Sequence, residues 1–575
     1  MSRKIVQREA TAAAVDFPTA MPGILRRVYA ARSITSPREL DYALSNLLPP
    51  TSLGGLADAA ELLQAAIVAR QRILVVGDFD ADGATSCALC VRGLRAMGAV
   101  DVRYLVPNRF EYGYGLTPEI VEVAAQQAPA LIMTVDNGIA SIDGVGAAKA
   151  AGMRVLITDH HLPGHSLPDA DAIVNPNLPG DAFPSKALAG VGVAFYVLLA
   201  LRARLREQGW FTDQGIDVPN LAQWLDLVAL GTVADVVPLD RNNRLLVQQG
   251  LQRIRAGNCV PGLRALLEAG GRSLPRVVAS DLGFAAGPRL NAAGRLDDMS
   301  LGIECLLTDD ASAARDMAAQ LDALNRERRE IESDMQAQAL TVIENLQLDD
   351  ERLPVGLCLF DPDWHQGVIG ILAARIKDRL HRPVIAFARS AEGEIKGSAR
   401  SVAGLHIRDV LDAVATRHPQ LVQKFGGHAM AAGLSLAEAD YPAFAAAFDA
   451  EVSRYLSADD LHTCLYSDGE LSDGELSLEV AQQLRDAGPW GQGFPEPLFD
   501  GCFEILGQRV VGERHLKLTV KPPAGASRID AIAFNTAALP TGCSVARLAY
   551  RLDVNEYRGL VSPQLVVEHI EVITS

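Results

Sequence analysis

A chain of 575 residues is longer than one hydrophobic core sustains, so three or four domains are expected. Hydrophobic content of 49% against 21% charged excludes an intrinsically disordered chain. A formal net charge of −17 leans away from nucleic acid, whose phosphates draw affinity from Lys and Arg, although a local basic channel can coexist with an acidic exterior. No apolar run is long enough to span a membrane, and Met1–Ala30 holds no apolar signal core, so a soluble, cytoplasmic protein is expected. The eight cysteines are scattered. Cys87 and Cys90 form a C-x-x-C with no second pair, which reads as buried small hydrophobes better than as a zinc site.

In chain order, residues 1–45 form an N-terminal segment. From Arg72 to about Leu239, short β-rich apolar runs alternate with Ala-rich helical stretches. Ile73–Gly77, Val102–Val106, Leu131–Val135 and Arg154–Thr158 read as strands, and near-continuous apolar strands separated by helices imply a parallel sheet covered on both faces. Asp309–Leu346 lacks Gly and Pro and carries Leu321, Leu324, Ile331, Met335 and Val342 at helical spacing, which suits a helix bridging two domains. Its Arg326–Arg329 cluster reads as a solvated face. A second α/β pattern begins at Leu353 with the strand Val355–Phe360, the helix Val368–Leu380 and the strand Pro383–Phe387. Ser467–Leu471 repeats at once as Ser472–Leu476, which reads as a linker. Beyond Phe499, five short strands (Phe503–Leu506, Lys517–Val520, Ala531–Phe534, Ala549–Val554, Gln564–Val567) suit a small barrel. The expected α/β architecture is therefore a parallel-sheet domain over 46–305, a bridging helix over 306–349, a second α/β domain over 350–458 and a barrel over 459–575.

Asp78-Phe-Asp-Ala-Asp-Gly83 places three carboxylates at alternate positions after a strand, on one face of an extended turn. Read alone, the turn fits a helix N-cap or solvated loop as well as a cation site. Three further segments weigh against coincidence. Asp136 ends another strand in Val135-Asp-Asn-Gly138, Asp159-His160-His161 ends a third, and Asp235 closes the apolar stretch Leu230–Asp235. A mixed Asp/His set without thiolates suits Mn, Fe or Zn, with the carboxylates favouring Mn or Mg. Two such ions side by side clamp a phosphoryl group and activate water.

The order of these four segments resembles the motifs of the DHH phosphoesterase superfamily, and within it the RecJ branch of single-strand-specific exonucleases, over roughly residues 45 to 575. The resemblance implies a DHH domain, the bridging helix, a DHH-associated nucleic-acid-binding domain and a C-terminal OB-fold barrel. It implies two divalent ions, Mn2+ first with Mg2+ as the alternative. Asp80 and Asp136 would hold one ion, and Asp82, Asp136, His160 and Asp235 the other. Asp78 stands near a position where many members carry a histidine ligand. His161 would lie against the scissile phosphate, with Asp159 orienting the histidines.

The same resemblance extends to substrate binding. In Val106–Gly115, Arg109 suits a phosphate and Tyr114 a base or sugar, although a plain surface loop has similar weight. Gly287–Leu296 reads as a small-residue loop offering Arg289, Asn291 and Arg295 for phosphate binding, with a structural arginine as the alternative. Gln366 in Trp364–Gly370, Ser398 and Arg400 in Gly397–Ser401, and Gly426, Gly427 and His428 in Phe425–Gly433 match the DHH-associated domain. Arg514, His515 and Lys517 are barrel contacts for single-stranded DNA. The implied activity is 5′→3′ degradation of single-stranded DNA to mononucleotides, in repair and recombination, by a monomer. The implied companions are single-strand-binding protein and a RecQ-type helicase, and a groove between the two α/β domains is expected to exclude duplex. The competing readings are a small-substrate DHH phosphodiesterase or pyrophosphatase, which needs no OB-fold, and a non-catalytic DNA-binding scaffold, which would have lost metal ligands.

Overall fold

The structure, a computed structural model, describes residues 4–9, 17–107, 115–345, 353–391, 393–402, 404–427, 430–456, 464–512, 514–523, 525, 527–540, 543–557 and 559–573. They fall into two compact units. The first holds Arg8–Asn325 with Asp468–Ser575, and the second holds Met1–Gln7 with Arg326–Ser467. Strand β1 (Lys4–Gln7) therefore opens the chain inside the second unit.

Strands β2 (Ile73–Gly77), β3 (Val102–Leu105), β4 (Leu131–Val135), β5 (Arg154–Thr158) and β6 (Ala172–Val174) form a wholly parallel sheet in the order β3-β2-β4-β5-β6. Alternate residues feed opposite cores. Ile73, Val75, Leu131, Met133 and Leu156 enter one, and Leu74, Val76, Ile132, Val155 and Ile157 the other. Burial on both faces is why these strands read as unbroken apolar runs. Strand order reverses at β2, which has β3 on one side and β4 on the other, so the carboxyl ends of β2 and β4 flank a topological switch point where ligands collect. Cys87 and Cys90 are free and fully buried in the Ala81–Ala96 helix.

The expected long helix runs from Ala311 to Asn345. Ala314, Ala318 and Leu321 pack into the core of the first unit, while Met335 and Ala339 pack into a core of the second. Its arginine cluster is not wholly solvated, as the sequence led us to expect. Arg328 is buried and pairs with Glu332 at 2.9 Å, and Glu332 also takes Arg375 at 2.8 Å.

The second unit contains β7 (Leu357–Phe360), β8 (Val384–Ala391), β9 (Glu394–Arg400), β10 (Lys424–Gly427) and β11 (Ala431–Ala437), in the order β10-β11-β9-β8-β7. The β7–β8 pair is parallel and the other pairs are antiparallel. Strand β12 (Cys464–Ser467) pairs in parallel with β1, so it belongs here and not with the barrel, where the sequence reading had put it.

The barrel is closed by β13 (Phe499–Val511), β14 (His515–Lys521), β15 (Ile529–Ala533), β16 (Val545–Tyr557) and β17 (Leu560–Val572) in the order β13-β14-β15-β17-β16. The repeated Ser-Asp-Gly-Glu-Leu segment is no free linker. Leu471 and Leu476 enter the barrel core, and Asp468 is buried against Arg32. Nor is Gly287–Leu296 a loop. It is a helix entered through a π-helical turn over Leu282–Ala286, and its Gly294 lies so close to Phe79 that a Cβ would sit 1.8 Å from the carbonyl oxygen. Packing against the acidic turn outweighs the low helix propensity of its glycines.

Candidate metal centre

Three strand ends and one helix end bring the predicted acids and histidines together. After β2 the chain turns so that Asp80 caps the Ala81–Ala96 helix, its Oδ1 accepting the amide of Gly83 at 3.0 Å. Asp78 Oδ1 accepts the amide of Phe79 at 2.8 Å, and Ala81 donates its amide to Asn291 Oδ1 at 2.7 Å. After β4, Asp136 adopts φ of 61°, a left-handed conformation that costs a non-glycine residue about 1–3 kcal/mol and recurs at functional sites. Its neighbour Asn137 donates to the carbonyls of Val76 and Val135, tying the ends of β2 and β4 together.

After β5, Asp159 organises the histidines. Its Oδ1 accepts the amides of His160 at 2.7 Å and His161 at 3.1 Å and meets His161 Nδ1 at 2.7 Å, while Oδ2 accepts the amide of Ile139. Two asparagines just beyond β6 brace the same loop, Asn175 donating to the carbonyl of His161 at 2.9 Å and Asn177 to that of His160 at 2.6 Å. Sequence reasoning missed both, because a side chain that binds a backbone carbonyl leaves no spacing to recognise. Asp235 ends the Leu225–Ala234 helix, and Val236 at φ of 61° turns the chain away.

His160 Nε2 lies 3.1 Å from Asp136 Oδ1 and 3.4 Å from Asp235 Oδ2. Ligand atoms gather within 4.8 Å of one another in three overlapping sets, namely Asp78, Asp80 and Asp136; Asp136, His160 and His161; and Asp82, His160 and Asp235. Asp136 and His160 each belong to two sets. A chain of shared donors is what a pair of ions about 3.5–4 Å apart requires.

The electrostatics fit a cation. Burial, reinforced by the Asp80 charge, raises Asp82 despite the opposing amides of Val191 and Gly190. Burial and then the Asp82 and Asp80 charges push Asp136 and Asp235 well above the carboxylate range. Among the described residues, the buried Asp235 Oδ2 accepts no hydrogen bond, and its chemistry suits a hard cation. Burial holds the nearby Cys87 thiol well above its usual pKa, so it offers no thiolate, and the donor set stays carboxylate and imidazole. At Asp159 burial acts upward, but the hydrogen bond and charge of His161 outweigh it and lower the pKa. Burial lowers His161, but Asp159 and then the Asp78 charge outweigh it and raise the imidazole.

The predicted substrate residues are more dispersed. Arg289 is largely buried and pairs with Asp322 at 2.7 Å while donating to the carbonyl of Ala285. Asn291 braces Ala81, and Arg295 is half-buried on the same helix. Gln366, Ser398, Arg400, Gly426 and Gly427 lie in the second unit. Gln366 donates to the carbonyl of Arg389, and Arg400 donates to Ser398 Oγ at 3.0 Å. Ser398 and Gly426 both face Gly433 across neighbouring strands, and Gly427 faces Ala432. Arg109, Tyr114 and His428 lie outside the described residues.

Comparison with known proteins bears on the same segments. Residues 72–232 match the DHH family, N-terminal domain, residues 353–454 the DHHA1 domain, and residues 467–569 the RecJ OB domain. The chain is 58% identical to the single-stranded-DNA-specific exonuclease RecJ of Dickeya dadantii, over 98% of each chain. The chain belongs to the RecJ family. It is 56% identical to the family member of Escherichia coli, over 96% of this chain and 97% of that one. The crystal structure of RecJ from Thermus thermophilus in complex with Mn2+ superposes with a TM-score of 0.78 at 34% identity, covering 96% of this chain and 76% of that one. The same protein in complex with Mg2+ gives 0.73 at 32% identity, with 96% and 75% covered.

Proposed function

We propose that this chain is a metal-dependent exonuclease that degrades single-stranded DNA from the 5′ end to mononucleotides, in DNA repair and recombination. The observation that carries the reading is the overlap of three Asp/His donor sets at the switch point of the parallel sheet, in a chain of this family. Asp136 would bridge two divalent ions, with Asp78 and Asp80 on one side and Asp82, His160 and Asp235 on the other. Bound there, the ions would activate a water and offset the charge on the phosphoryl oxygens. His161, held by Asp159, would donate to the scissile phosphate. Mn2+ is the favoured ion, on the strength of the carboxylate-rich donor set and the Mn2+ complex of a relative, with Mg2+ as the alternative.

Substrate grip is assigned to Arg109, Tyr114 and Arg295, to Gln366, Ser398, Arg400, Gly426, Gly427 and His428, and to the outer face of the barrel around Arg514, His515 and Lys517. On that face His515 meets the half-exposed Phe534 ring at 5.2 Å, a surface suited to base stacking. The enzyme is taken to act in the cytoplasm as a monomer, beside single-strand-binding protein and a RecQ-type helicase. Among the described residues no helix is long and apolar enough to cross a membrane.

The test is single-stranded DNA labelled at the 5′ or the 3′ end, with Mn2+. Early release of 5′-labelled mononucleotide, lost in Asp136→Ala, is expected. Equal early release from both ends would overturn the polarity, and equal release by the variant would overturn the catalytic role.

A further inference from the structure

Two carboxylates of the metal centre are shaped by glycines, one outside the four motif segments and one, Gly231, inside the Leu230–Asp235 segment. The Gly190–Glu207 helix begins against Asp82, the amide of Gly190 donating to Oδ2 at 2.7 Å and that of Val191 to Oδ1 at 2.9 Å. That approach leaves no room for a side chain at position 190. A Cβ there would lie 2.6 Å from the Cβ of Asp136 and 2.7 Å from its Oδ1, well inside van der Waals contact. Asp136 has little freedom to retreat, because it is buried, its backbone is left-handed, and its Oδ1 faces His160 at 3.1 Å.

A second glycine does the same from another side. Gly231 lies in the Leu225–Ala234 helix one turn before Asp235. A Cβ there would meet Asp82 Oδ1 at 2.7 Å and Thr85 Oγ1 at 2.3 Å. The Thr85 hydroxyl already donates within its own helix turn, to the carbonyls of Ala81 and Asp82, so it too is held.

We propose that Gly190 and Gly231 are positioning residues for the metal centre, their missing side chains letting two helices bring Asp82 and Asp136 to donor distance. The proposal rests on the reading of these acids as metal ligands. Helix propensity alone predicts the opposite outcome, since Ala replaces Gly inside a helix with a gain in stability.

The experiment is calorimetric titration of Mn2+ into wild-type protein, Gly190→Ala, Gly231→Ala and the control Gly146→Ala. Gly146 sits in the Ile142–Ala150 helix, where a Cβ would meet nothing within 4 Å. Far-UV circular dichroism and affinity for single-stranded DNA in EDTA accompany each titration. We expect about 10–100-fold weaker Mn2+ binding in the two test variants, the scale seen when groups that orient metal ligands are lost. Fold and metal-free DNA affinity should stay unchanged, and Gly146→Ala should bind like wild type.

Mn2+ affinity within twofold of wild type in folded Gly190→Ala and Gly231→Ala would overturn the proposal, as would the same loss in Gly146→Ala. If neither test variant yields folded protein, the glycines serve folding, and the positioning claim fails. Wild-type protein that binds no Mn2+ would instead overturn the metal-site reading beneath it.

Discussion

Asp82, Asp136 and Asp235 carry the electrostatic cost of the site, and their protonation ties the stability of the protein to pH. Burial raises all three, Asp82 to about 7. An acid whose pKa is higher folded than unfolded binds more protons in the folded state across that interval, so its contribution to stability falls as pH rises through it. In EDTA the melting temperature should therefore decline from the ordinary carboxylate range up to about pH 7. Mn2+ should restore it, by more at higher pH because the ion displaces protons, and by about 2.7 kcal/mol at a hundredfold excess over Kd. In Asp235→Asn the decline should be shallower and the Mn2+ gain lost. Scanning fluorimetry from pH 5 to about 8, with and without the ion, decides it, and an Mn2+ gain that does not grow with pH would count against the donor set. Asp159→Asn tests the neighbouring histidine. It exchanges the carboxylate that orients His161, so turnover should fall about 10–100-fold. A smaller loss than in Asp136→Ala is expected, because Asp159 belongs to none of the ligand sets. The acids and histidines that gather at the candidate centre were legible in the sequence because strand ends concentrate them in short motifs. Asn175, Asn177 and Gly190 were not, because their work is done on backbone carbonyls or by the absence of a side chain; Gly231 stands in the Leu230–Asp235 segment, but nothing in the sequence shows how closely it approaches Asp82.

The Gly287–Leu296 helix shows how far local pattern can mislead. Its Gly, Pro and Ala content reads as a loop, yet the segment is helical because Gly294 must pass close to the carbonyl of Phe79 while Asn291 accepts the amide of Ala81. Both contacts fall on the turn that carries Asp78, Asp80 and Asp82, so the helix is a strut for the acidic turn of the candidate centre. A role for Asn291 through the acidic turn competes with the phosphate contact expected of it from sequence. Asn291→Ala leaves the amide of Ala81 without its acceptor, at a cost of about 1–3 kcal/mol if water cannot replace it. Steady-state kinetics on single-stranded DNA separates the two roles. A fall in kcat with weaker Mn2+ dependence and unchanged KM is expected. A rise in KM alone would return Asn291 to the substrate. The sheet strands and the barrel strands were recognisable for the converse reason, since their patterns of two-sided and one-sided burial are written directly into successive residues.

At the scale of the whole molecule, the barrel is built into the first unit. The Gly23–Ala30 helix sends Ile24 and Val28 into the barrel core, while Tyr29 joins the core beneath the parallel sheet and donates its hydroxyl to the carbonyl of Ala487 at 2.8 Å. Trp490 packs against both cores, stacks on Phe494 at 5.0 Å and lies beneath the Arg32 guanidinium. Phe494 in turn sits under Arg244 at 4.3 Å. Arg32 is locked by two parallel bonds of 2.9 Å to the buried Asp468, the residue that sequence reading had left in a linker. These contacts tie the sheet and the barrel into one compact unit, which is expected to unfold cooperatively. Phe494→Ala should cost about 3–5 kcal/mol through the cavity it leaves. Arg32→Ala should cost about 1–3 kcal/mol, because it removes two charge-assisted bonds while Asp468 keeps Arg8 at 3.6 Å and the amide of Leu498 at 3.1 Å. The sharper expectation concerns cooperativity. Hydrogen exchange should show amides of β4 and of β16 losing protection together in either variant, by the same free energy within error. Loss confined to β16 would mean that the barrel opens by itself, as an independent module joined to the catalytic sheet by a tether.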